Sequence, residues 1–167
     1  MRVASSDLSL GLLLSLLDEA FERKAWHGPN LRGSLRGIPA AQAAFRPAPG
    51  RHNVWELCVH AAYWKYAVRR MLTGEKRGAF PLEGSNWFAR PDGGAAEAAW
   101  RKDLALLVDQ HRRLREAAAA LSAGQLRARP RASRYSRASL IRGVASHDIY
   151  HAGQIQLLKR LWRSPGR

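Results

Sequence analysis

His147 and His151 lie one helical turn apart in a stripe formed by Leu140, Val144, His147, His151, Ile155, Leu158 and Trp162. Steps of three and four put all of these on one helix face. Imidazoles at such spacing have Cβ atoms about 6 Å apart, so both rings can converge on one ion. Burying two unpaired imidazoles among Leu and Ile is unfavourable, and charging both is worse. A divalent metal removes the difficulty by using both lone pairs. The spacing by itself also fits a surface coincidence or a hydrogen-bonded core pair. His60 shifts the balance, because it lies on the apolar side of a second helical stretch, between Leu57 and Trp64. A facing helix then delivers a third imidazole to the same point, as in metal sites built between bundle helices. Three neutral imidazoles leave the ion's charge undiminished and coordination positions free. Such an ion brings the pKa of bound water to about 7, or holds a thiolate.

Other polar residues are candidates for supporting roles, each with a plainer reading beside it. Glu56, one turn before His60, fits a base or a hydrogen-bond acceptor for that ring, and equally a capping box with Asn53. Gln154, close behind His151, either faces the cavity or finishes a polar edge. His27 either lines the mouth of the site or belongs to a turn. Asp148 sits about 100° around the helix from His147, which suits a surface or interhelical salt bridge better. His52 carries no pattern, whereas His111 falls on an apolar stripe and is the better cavity neighbour. Cys58 is two residues from His60, points away from it, and reads as a small buried side chain.

The elements that must position these groups are helical. A first helix is expected from Ser6 to Trp26, capped by Ser5, Ser6 or Asp7, with Leu10, Leu13, Leu14, Leu17 and Phe21 inward. A long connection from His27 to His52 holds one short helical turn at Ala40 to Ala44. The second helix starts at Asn53, buries Val54, Leu57, Ala61, Trp64, Val68 and Met71, and ends at Gly74. After a loop from Glu75 to Gly94, the third runs from Ala95 to Leu121 with Trp100, Leu104, Leu107, His111, Leu114 and Ala118 on one side. The fourth runs from Arg137 to Trp162, capped by Ser136. No strand alternation is present. The fold class is therefore all-α, a four-helix bundle with two long connecting loops.

The chain's 167 residues suit one domain, 1–167, with 46% hydrophobic and 25% charged residues. One cysteine excludes an intrachain disulfide framework and agrees with a cytoplasmic setting. The apolar run from Leu8 to Leu17 is preceded by Asp7 and followed by Asp18, Glu19 and Glu22, unlike the flanks of a secretory signal, and is too short to cross a bilayer. A net charge of +15, with Arg127, Arg129, Arg131, Arg134 and Arg137 close together, raises nucleic acid as a partner. No recognition helix or stacking motif accompanies that run, so a solvated loop is the favoured reading. Gly143 and Gly153 inside the fourth helix each cost about 1 kcal/mol relative to Ala. Close approach of another helix, from this chain or a second subunit, would account for them.

The segment from Ser146 to Ile155 (SHDIYHAGQI) closely resembles the C-terminal motif of the DinB-like (DinB/YfiT) superfamily. The segment from Asn53 to Trp64 (NVWELCVHAAYW) resembles that family's first histidine motif, and Ala25 to Leu31 (AWHGPNL) resembles a subgroup signature near the first helix. The resemblance implies a bundle with a three-histidine metal site at His60, His147 and His151, occupied by nickel or zinc, in a homodimer. It also implies a metal-dependent hydrolase, or a transferase using a low-molecular-weight thiol, acting on a small-molecule substrate. A non-catalytic metal-binding scaffold or stress-response protein is the alternative, and a basic nucleic-acid-binding protein ranks below both.

Overall fold

The computed structural model describes residues 4–91, 97–131 and 133–163, and among these described residues are four long helices and three short ones. They are α1 (Ala4–Phe21), α2 (Leu31–Leu35), α3 (Ala40–Ala44), α4 (Val54–Thr73), α5 (Glu97–Ala119), α6 (Ala123–Arg127) and α7 (Arg137–Arg163). Among the described residues, extended pairing amounts to one isolated bridge, Ala25–Gly28. The all-α expectation holds. No described helix is long and apolar enough to cross a membrane.

α4 is the central element, packed against α5 and α7, while α1 lies on α7. Every residue from Asn53 to Ala62 is buried, the mark of a helix enclosed on all sides. Its start is fixed by the expected capping box: Asn53 accepts from the Glu56 N–H at 2.8 Å while Glu56 reaches back to the Asn53 N–H. Gly74 closes it at φ 80°, a left-handed conformation that suits glycine. Ser136 caps α7 by accepting from the Ser139 N–H at 3.2 Å. One apolar cluster gathers Trp55, Trp100, Leu107 and Ile155, and a second gathers Leu17, Val68, Leu114 and Ile141. Large side chains buried this fully stabilise by about 1.5–3 kcal/mol each.

α1 ends at Phe21, short of the expected Trp26. The Glu22 and Arg23 N–H groups both turn back onto the Asp18 carbonyl, at 2.9 and 2.8 Å, and Trp26 stands fully exposed with nothing to bury. The helix already includes Ser5, Ser6 and Asp7, so its cap lies outside the described residues, as does the expected start of the third helix at Ala95. The short turn at Ala40–Ala44 is where it was expected. α2 and α6 were not anticipated, although each has a local signal: Asn30 accepts from Gly33, and Ser122 forms a capping box with Gln125. Gly143 and Gly153 are exposed, and a Cβ at either would meet nothing within 4 Å. Among the described residues, no helix of this chain approaches them closely.

Candidate metal centre

α4 and α7 bring the three histidines together. The Nε2 atom of His147 lies 3.0 Å from Nε2 of His60 and 3.0 Å from Nε2 of His151. A single imidazole N–H can serve only one of those contacts, and lone pairs facing one another repel. A cation at their centre satisfies all three nitrogens. With metal–nitrogen bonds of about 2.1 Å, ligand nitrogens stand about 3.0 Å apart at right angles and about 3.4 Å apart in a tetrahedron; both contacts of His147 fit that range, and all three ligand atoms lie within 4.8 Å of one another. Among the described residues this trio is the one group of ligand-type side chains close enough to hold an ion.

Two of the rings are held by their other nitrogen. His60 Nδ1–H donates to the Asn86 carbonyl at 2.7 Å, and His151 Nδ1–H donates to Gln154 Oε1 at 2.6 Å. Because a carbonyl oxygen only accepts, Nδ1 carries the proton and Nε2 keeps the lone pair for a metal. His147 Nδ1 is buried without a hydrogen-bond partner among the described residues. Gln154 therefore faces the site, and its Nε2–H donates in turn to the Tyr150 hydroxyl at 3.3 Å.

The loop after α4 completes the enclosure. Asn86 adopts φ 66°, a left-handed conformation that asparagine tolerates better than most residues, and its side chain accepts from the Trp64 indole N–H at 3.0 Å. The Trp87 ring stacks on His60 with centroids 3.8 Å apart and on His52 at 3.6 Å. Neither Asn86 nor Trp87 stands out in the sequence, since a loop has no period that would single them out.

The other candidates fall elsewhere. Glu56 is one turn from His60, yet its carboxylate binds Arg46 at 2.7 Å and His52 Nδ1 at 2.9 Å as well as its cap, and these partners hold its pKa down against the upward push of burial. It is not an acceptor for His60. His27 is exposed, and no described contact joins it to the trio. His111 is not a cavity neighbour: its ring stacks on Phe21 at 3.8 Å, because α5 turns this face toward α1. Asp148 makes the interhelical salt bridge, to Lys65 on α4, with both side chains wholly buried. Cys58 is buried, burial pushes its thiol pKa up, and it is no part of the trio.

Burial is the main force on the three rings. It depresses His60 to about 4 despite the Asn86 hydrogen bond, and His147 to about 3 with repulsion from the other two rings and Lys65 adding to it. His151 is lowered as well, partly offset by Gln154. All three are neutral at physiological pH, the state in which a metal can use them.

His111 gives a pH prediction independent of any metal. Burial and the nearby Lys65 depress it from the ordinary 6.5 to about 2, so the folded protein binds fewer protons than the unfolded chain. Its contribution to stability is complete above about pH 6.5 and shrinks as pH falls from there toward about 2. At about pH 5.5 the loss from this one group is about 1.4 kcal/mol. Gln in its place keeps an acceptor for Lys65 and does not titrate. Melting curves of metal-free His111→Gln between neutral pH and mild acid should therefore fall less steeply than wild type; identical slopes would contradict the assignment.

A family model described as the DinB superfamily matches residues 23–155, a span containing all three histidines, the whole of α4, α7 as far as Ile155 and the loop of Asn86. The chain belongs to the DinB superfamily. No curated protein and no solved structure matches it. Membership and the trio together fit a metal-binding DinB-like protein.

Proposed function

We propose that this DinB-superfamily protein is a metal-dependent enzyme in which His60, His147 and His151 hold one divalent ion, nickel or zinc, and a small electrophilic molecule receives a thiol. The convergence of three Nε2 atoms, with two rings locked through Nδ1, is the observation that carries this reading. When bound, the ion supplies a Lewis-acidic centre that favours the ionised form of a thiol or a water. Asn86 and Gln154 orient the rings, and Trp87 shields His60 from solvent by stacking on it.

Thiol transfer is favoured over hydrolysis by what surrounds the trio. Hydrolysis gains from a carboxylate that takes a proton from the attacking water. Among the described residues no acid joins the cluster, and Glu56 is committed to Arg46, His52 and its own cap. A thiol ionises more readily and needs no such base.

Protein loaded with zinc or nickel should consume glutathione, mycothiol or bacillithiol in the presence of an epoxide or aryl halide. Chelator should stop the reaction and fresh metal restore it. Consumption indifferent to chelator would refute the reading, and metal-dependent ester or amide hydrolysis without thiol would transfer it to the hydrolase branch.

A further inference from the structure

A cavity of about 590 Å³ opens beside the histidine trio, between α4, α7 and the loop before α7. Its floor is apolar, from Trp64, Val68 and Leu140, and His147 is the member of the trio that reaches it. Arg134 and Arg142 stand on its lining, which includes no acidic residue. Neither arginine is paired with a carboxylate among the described residues. Arg134 is already held in place, its guanidinium stacked over the Tyr135 ring at 5.1 Å and donating to that hydroxyl at 3.0 Å. A ligand here meets apolar surface along its body, two unneutralised guanidinium groups on the wall and a candidate metal ligand within the same cavity.

We propose that this cavity is a binding site for a small anionic molecule with an apolar body, its carboxylate on Arg134 and Arg142 and its far end toward His147. Guanidinium forks match a carboxylate in charge and geometry. Calling this molecule the substrate rests on the metal-dependent reading above; its binding does not. Gly143 also lines the cavity, and a Cβ there would meet nothing within 4 Å, so a larger side chain fills ligand space without displacing protein. Gly153 on the same helix is equally open but is not part of the lining, which makes it the matched control. Leucine favours a helix more than glycine does, so neither change threatens α7.

Calorimetric titration of metal-free and zinc-loaded protein with phenylbutyrate, phenylbutanol and phenylbutylamine tests the proposal. Phenylbutyrate should bind metal-free protein, and the alcohol and the amine should bind about tenfold more weakly or less, the effect of one charged hydrogen bond. Arg142→Gln should weaken the carboxylate about tenfold and leave the alcohol unchanged. Gly143→Leu should abolish binding while Gly153→Leu keeps it. Four results would overturn the proposal: equal binding of the alcohol, no effect of Gly143→Leu, binding seen only with zinc and indifferent to Arg142→Gln, or Gly143→Leu splitting a dimer, which would make the groove a subunit contact. If zinc itself fails to bind while phenylbutyrate still does, the metal reading fails and the anion site stands.

Discussion

Saturating zinc should raise the melting temperature of this protein by about 10 °C, and His147→Ala should remove most of that gain. A ligand that binds only the folded state at about a thousand times its Kd adds about 4 kcal/mol. For a chain of this size each kcal/mol is worth about 2–4 °C. The three nitrogens that provide the binding come from α4 and α7, helices that converge only in the folded protein. His147 is central to the trio, since its Nε2 is the atom within 3.0 Å of both others. Its loss leaves one ring on each helix and weakens binding by about a hundredfold or more, a ligand's share of a typical zinc affinity. The metal-free variant should melt near wild type, because His147 brings a buried Nδ1 that finds no partner and a ring that crowds two others. An equal zinc gain in both proteins would show that the ion sits elsewhere.

Lys65→Met should cost about 3–5 kcal/mol in urea unfolding, and the double variant Lys65→Met with Asp148→Leu should recover most of it. The two side chains are wholly buried and join α4 to α7. Burial pushes the Lys65 pKa down and the Asp148 pKa up, and each partner's charge opposes that push in the other. Removing one partner strands a buried charge, the costly case, whereas replacing both with apolar groups of similar size is close to neutral. Asp148 has no reserve, because its Oδ1 already lacks a hydrogen-bond partner among the described residues. The pair sits one residue from His147 and holds α7 against α4 where the trio meets. Recovery of stability without recovery of zinc affinity in the double variant would mark it as a positioning device for the metal centre as well as a stabilising one. A single variant as stable as wild type would contradict the account.

These two features show how far the residues alone reach. His147, His151 and His60 are legible because a helix repeats, so a histidine in a leucine position declares the direction of its ring. The cap at Asn53 and the stop at Gly74 are legible for the same local reason. Lys65 escapes this reading. A lysine among Tyr63, Trp64 and Tyr66 looks like a solvated head on an apolar stem, and its partner is 83 residues away. Asp148 is legible as a salt-bridge residue but not as a wholly buried one. Asn86 and Trp87 are hidden more deeply, since a loop positions side chains by its own path. The end of α1 misleads because Trp26 continues the apolar pattern while the backbone has already left the helix after Phe21, closing onto the Asp18 carbonyl.

The most direct measurement is anomalous diffraction from crystals grown with zinc, recorded on both sides of the metal edge. One peak should appear, bonded at about 2.1 Å by Nε2 of His60, His147 and His151, with Nδ1 of His60 still on the Asn86 carbonyl and Nδ1 of His151 still on Gln154. A peak away from these rings, coordination through Nδ1, or no peak under excess zinc would contradict it.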